Sequence, residues 1–191
     1  PQAVQAGLVN DHVFLVNASL GLYPKLLQER ENWKHYLGRN RIVAFVAAFV
    51  TLIGGYRTLR LQIGTRGVQR RLRTPTLFVG NNALQMEQLG FSLAQDIDKG
   101  ELAAIVLKPV RRWAMAGLLL RGALGQLGTS DRLLNFPVQR LDVNVAWPFK
   151  TRRMKVATDG EIRWLPLPLV FRVSPQPLHL IKPSTLEPKS E

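Results

Sequence analysis

The sequence predicts a mainly β chain of the α+β class: an antiparallel β-sandwich with two or three inserted helices. Three observations carry this. Short apolar-polar alternations recur along the chain, each bounded by Gly, Pro, Asn or Asp, as half-buried strands joined by turns require. These strands do not alternate regularly with helical segments, which disfavours a doubly wound sheet or an α/β barrel. A hydrophobic content of 46% in 191 residues is enough for a proper core and argues against disorder.

Residues from Gln2 to Leu8 and from His12 to Ala18 read as two strands around an Asn10-Asp11 turn. Pro24 to Leu37 reads as a helix, with Pro24 at its first position, Gly38 as its stop, and Leu26, Arg30, Trp33 and Leu37 on one face. Ile42 to Ile53 is almost entirely apolar but falls short of the roughly 20 residues that a bilayer demands, so it reads as a buried helix or strand and no transmembrane anchor is expected. Thr58 to Ile63, Thr76 to Val79 and Leu102 to Leu107 read as strands, and Arg111 to Leu124 as a helix ending near Gly125. Phe136 to Ala146 alternates with Val138, Leu141, Val143 and Val145 as core positions. Met154 to Ala157 and Ile162 to Leu165 flank Asp159-Gly160, a favoured hairpin turn. Leu169 to Val173 and Leu178 to Ile181 close the domain, which spans 1–183, and 184–191 reads as a flexible tail.

Twenty-six Lys and Arg against thirteen Asp and Glu give a net charge of +13. Such an excess favours polyanionic partners, whether nucleic acid, nucleotide phosphates or an anionic lipid surface. The cationic residues Arg66, Arg70, Arg71 and Arg73, continued by Lys108, Arg111 and Arg112, form the obvious patch. Aromatic residues are only 8% and are not interleaved with that patch, which argues against nucleic acid. With no cysteine there is neither a disulfide framework nor a thiolate metal site, in keeping with a reducing, cytoplasmic setting. The chain starts at Pro1 without a Met or a leader, so it reads as a fragment.

Isolated motifs are few. His12, His35 and His179 are scattered and match no metal-ligand spacing, and there is neither a G-x-S-x-G elbow nor a phosphate-binding glycine loop. The one acidic cluster in a basic neighbourhood is Asp159-Gly160-Glu161. Its bland reading is a two-residue turn. Its functional reading makes Asp159 a proton acceptor in phosphoryl transfer, with Glu161 on the same side to hold a magnesium ion or a second negative charge near the phosphates.

Four segments occur in a familiar order: Val16-Asn17-Ala18-Ser19-Leu20-Gly21-Leu22-Tyr23-Pro24, Phe78-Val79-Gly80-Asn81-Asn82, Asp98-Lys99-Gly100-Glu101-Leu102 and Thr158-Asp159-Gly160-Glu161. Together they resemble the C-terminal domain of the soluble diacylglycerol kinase and sphingosine kinase-like lipid kinases, across nearly the whole chain. The resemblance implies a second, N-terminal α/β domain, absent from this chain, that carries a glycine-rich nucleotide loop and binds ATP and Mg2+. No cofactor is then expected on this chain by itself. It implies transfer of a phosphoryl group to a hydroxyl of diacylglycerol, a long-chain base or a related lipid, with this fragment alone inactive. Asp159 matches the general base and Glu161 the second acid of that motif, while Asn17 and Asn81 fall in segments near the cleft. Implied partners are the missing nucleotide domain, the lipid substrate and the anionic inner face of the membrane, with a homodimer left open. In place of a family aspartate that often holds a structural magnesium ion stands Lys99, so its ammonium is expected to replace the ion among backbone carbonyls near Asp96 and Glu101. The rival expectation is a non-enzymatic basic module that binds anionic membrane or nucleic acid.

Overall fold

The computed structural model describes residues 2–21, 58–65, 67–111, 114–115, 117–118, 121, 125–128, 130–146 and 152–181. Its strands are β1 (Gln2–Val4), β2 (Gly7–Val9), β3 (His12–Phe14), β4 (Asn17–Gly21), β5 (Leu59–Thr65), β6 (Val68–Thr74) and β7 (Thr76–Gly80). Two short helices follow, α1 (Ala83–Gln88) and α2 (Ala94–Asp98). The remaining strands are β8 (Leu102–Leu107), β9 (Leu133–Val138), β10 (Arg140–Val145), β11 (Arg153–Thr158), β12 (Glu161–Pro166), β13 (Leu169–Val173) and β14 (Leu178–Leu180).

They form two six-stranded sheets, ordered β3-β2-β13-β10-β5-β6 and β12-β11-β4-β7-β8-β9, plus a β1-β14 ribbon. Every pairing is antiparallel. The core lies between the sheets. Phe14, Leu61, Leu141, Leu169 and Phe171 from the first meet Leu20, Leu77, Val79, Leu102 and Val156 from the second, all fully or almost fully buried. This is the antiparallel sandwich with inserted helices that the alternating pattern predicts.

Three predicted strands are each two strands. The run from Gln2 to Leu8 breaks at Gln5-Ala6 between the ribbon and the first sheet. The run from His12 to Ala18 breaks at Leu15-Val16, and the run from Phe136 to Ala146 breaks at Gln139, each time where the chain crosses between the two large sheets. Alternation reports only which side chains face the core, and both sheets face the same one. The pattern therefore runs through a crossing without interruption.

Strand β6 escapes the same test because it is an edge strand with exposed residues on both faces; only Leu72 and Thr74 are shielded. Helices α1 and α2 are too short to show periodicity. They lay Met86, Leu93, Ala94 and Ile97 over Phe78, Ala103 and Ile105 on the outer face of the second sheet. That second layer buries β8 on both faces, which accounts for its unbroken LAAIVL. In the segment predicted helical from Arg111 to Leu124, residues Ala114, Met115, Gly117, Leu118 and Arg121 are helical, Arg111 precedes the helix, and the others lie outside the described residues. The expected helix from Pro24 to Leu37, the apolar run from Ile42 to Ile53 and the 184–191 tail also lie outside them. No described helix is long and apolar enough to cross a membrane.

Candidate functional site

The crossing from β3 to β4 at Leu15, Val16 and Asn17 creates a local problem. The chain leaves one sheet before it joins the other, so its peptide groups need partners beyond the ladders. The Asp159 carboxylate meets the donors. Leu15 N–H donates to Oδ2 at 2.7 Å, and Val16 and Asn17 N–H donate to Oδ1 at 2.9 and 3.0 Å. The carbonyls are met by Asn81 and Asp159: Asn81 Nδ2 donates to Leu15 O at 2.9 Å, Asn81 N–H to Val16 O at 2.8 Å, and Asp159 N–H to Asn17 O at 3.0 Å. All six polar groups of the crossing are satisfied by two residues.

Both residues are delivered by ordinary local rules. Asp159 and Gly160 sit at φ 47° and 92°, the two left-handed positions of a tight hairpin between β11 and β12, with Thr158 opposite Glu161. Asp tolerates that conformation, and here its carboxylate reaches back over the crossing. Asn81 directly follows β7 and is buried. Its amide also donates to Gln5 O at 3.0 Å and accepts from Gln5 Nε2 at 2.8 Å, so each of its polar atoms is used. Gln5 Nε2 bridges on to Glu101 O at 3.0 Å. Nothing in the sequence marks Gln5, which sits in the break between β1 and β2.

Asn17 completes the group less tightly. Its Nδ2 donates to Gln85 Oε1 on α1 at 3.4 Å, and its buried Oδ1 has no hydrogen-bond partner. Asn82 caps α1 by accepting from Gln85 N–H at 2.9 Å, which holds that helix beside Asn17. Glu161 lies at the rim, its Oε2 2.6 Å from an Arg163 guanidinium nitrogen. Asp159, Glu161 and Arg163 line a depression of about 320 Å³ together with His12, Val13 and Thr158.

The structure therefore brings Asn17, Asn81 and Asp159 onto one three-residue crossing, with Glu161 beside them. Asp96, Lys99 and Glu101 form a separate group, linked to it through the Gln5–Glu101 bond. The Asp96 carbonyl accepts N–H groups of Lys99 and Glu101 at 3.1 Å each, and the Ile97 carbonyl accepts that of Gly100 at 3.0 Å. Gly100, at φ 86°, thus ends α2 in a Schellman turn. The Lys99 ammonium is 70% exposed and 3.9 Å from Asp96 Oδ1. Its contact is with that carboxylate; backbone N–H groups take the carbonyls.

Among the described residues no three His, Asp or Glu side chains are grouped to hold a metal. The Asp159 carboxylate already accepts three N–H bonds and Glu161 is paired with Arg163.

No family model matches the chain. Solved structures do. A Bacillus anthracis str. Sterne protein assigned as a diacylglycerol kinase superposes with a TM-score of 0.59 at 18% identity, over 91% of this chain and 54% of that one. The chain has a diacylglycerol kinase-like fold. A second diacylglycerol kinase structure from that organism gives a TM-score of 0.52 at 14% identity, over 90% of this chain and 50% of the other. A third gives 0.58 at 16%, over 91% and 54%. The chain thus spans about half the length of these kinase structures.

Proposed function

We propose that this chain is the substrate-binding, base-bearing half of an ATP-dependent lipid kinase that phosphorylates a hydroxyl of diacylglycerol, a long-chain base or a related lipid. The observation that carries this is the superposition: nearly all of the chain matches about half of each kinase structure. In this reading an α/β nucleotide domain completes the enzyme and holds ATP and magnesium, which supply the phosphoryl donor and its charge neutralisation.

Asp159 supports the reading chemically. A carboxylate has about four acceptor positions. Oδ1 takes two N–H bonds and Oδ2 one, which leaves Oδ2 a further acceptor position on a residue that lines the depression. A substrate hydroxyl would donate to that position. As its oxygen bonds to the γ-phosphorus, the proton passes to Oδ2, and the β–γ bridging bond breaks with its electron pair leaving on ADP. The three N–H bonds fix the oxygen's place beforehand, which favours proton transfer through orientation. Glu161 stands beside it, its charge balanced by Arg163.

The test is transfer of label from radiolabelled ATP to dispersed diacylglycerol or long-chain base by the full-length protein. Asp159→Asn is expected to lower kcat by about 10²–10⁴-fold with ATP binding retained. Undiminished transfer by that variant removes the base assignment, and absence of any lipid phosphorylation by the unmodified full-length protein removes the kinase reading.

A further inference from the structure

The second sheet is covered on its outer face by α1 and α2, whereas no described helix covers the outer face of the first. Cross-strand register fixes what stands there. Arg172 lies opposite Arg140, Asp142 opposite Gly64, Asn144 opposite Gln62, Gln62 opposite Arg71, and Arg60 opposite Arg73. Alternation places these positions on one face and Leu61, Ile63, Leu141, Val143 and Phe171 on the buried one. Among the described strand positions, five arginines therefore share this face with one acid. That acid, Asp142, is engaged by Arg140 through contacts of 3.0–3.2 Å, and Arg71, Arg73 and Arg172 keep the described face cationic.

The same face has a depression of about 620 Å³, lined by Gln62, Gln69, Arg140, Asp142 and Asn144. Gly64 lines its floor, where a Cβ would stand 3.8 Å from both Asp142 Cβ and Gln69 Cγ. Amide donors and acceptors around a cationic rim suit a phosphodiester with a polar headgroup. No aromatic residue occupies these outer positions, so the face offers no platform for stacking unpaired bases.

We infer that the outer face of the first sheet is a docking surface for an anionic bilayer, its arginines set against lipid phosphates and its amide-lined depression receiving a headgroup. The inference goes beyond the kinase reading and is tested without catalysis. An arginine held at an anionic surface strengthens partitioning about fivefold. Removing three charges should then weaken it roughly hundredfold.

The experiment is co-sedimentation of the 191-residue chain with vesicles of phosphatidylcholine, alone or mixed with phosphatidylglycerol. Binding is expected only to the mixed vesicles, and it should fall as salt is raised. A triple variant, Arg71→Gln, Arg73→Gln and Arg172→Gln, should lose about hundredfold in affinity while melting like the parent. A second triple, Lys108→Gln, Arg111→Gln and Arg121→Gln, removes the same charge away from the face and should lose less than tenfold, as a general field effect does. Equal losses in the two triples, or no binding to the mixed vesicles at low salt, would overturn the assignment. So would tighter binding of an oligonucleotide than of these vesicles, abolished by the first triple. Vesicle binding by full-length protein that transfers no phosphate would leave this inference standing while the kinase reading fell.

Discussion

Replacing Asp159 by alanine tests whether one side chain holds the two sheets together at their corner. The change deletes three hydrogen bonds from consecutive N–H groups to one carboxylate. Bonds to a charged acceptor contribute about 1.5–3 kcal/mol each. Asp159 is exposed, so water can reach the released donors, and about 1 kcal/mol per bond is the appropriate scale here. The expected loss is about 3 kcal/mol, which for a chain of this size lowers Tm by roughly 6–12 °C. Urea titration reads the free energy, and hydrogen exchange at Leu15, Val16 and Asn17 reads the place. Those three amides should lose protection well before amides in β7 or β8 do. Asp159→Asn should be milder, about 1–2 kcal/mol, since Asn keeps the left-handed turn and one carbonyl oxygen, and only its NH2 confronts the Leu15 N–H. A loss under about 0.5 kcal/mol for the alanine variant, or unchanged exchange at the three amides, would refute the reasoning.

Two further substitutions probe the frame around that corner. Asn81→Asp is nearly isosteric, but it sets a carboxylate oxygen against the carbonyls of Gln5 and Leu15 that Nδ2 now serves. It should destabilise by about 3 kcal/mol or more in urea titration, and a near-neutral result would mean that the amide is not the clamp described. Gly100→Ala forces a side chain into φ 86° at the end of α2 and should cost about 1–2 kcal/mol by thermal melting, with Gly100→Asn less harmful.

The sequence is a good guide to the layers of this fold and a poor one to its crossings. The hairpin at Asp159-Gly160 and the turn at Asn10-Asp11 are legible because left-handed positions, Asp159, Gly160 and Asn10 here, have few alternatives to Asn, Asp and Gly. Core positions such as Leu141 and Val143 are legible because burial alternates. The change of sheet at Leu15-Val16 is not, since the apolar run from Val13 to Val16 continues straight across it. Likewise the basic run in β6 reads as a patch of charge, because an edge strand exposed on both faces keeps no apolar period. Resemblance to a family marks Asn17, Asn81 and Asp159, but only the folded chain shows that they serve one segment. Gln5 carries no signal at all; its role comes from a break in pairing that no local pattern records.

This arrangement constrains how Asp159 could act as a base. A residue at a hairpin tip is ordinarily mobile, and a catalytic oxygen held only by its own turn would wander. Here the hairpin supplies the carboxylate, the crossing supplies three donors that hold it, and Asn81 holds the crossing from the opposite side through the Leu15 and Val16 carbonyls. The position of Oδ2 is thus set by both sheets at once, and the core between them resists their relative movement. A substitution at Asn81 that leaves Asp159 untouched would therefore loosen the oxygen as well as the fold. If Asp159 takes the substrate proton, that substitution should depress kcat in the full-length enzyme at temperatures far below its melting point. Were kcat unaltered while stability fell, the carboxylate would be a structural clamp and the proton would leave by another route.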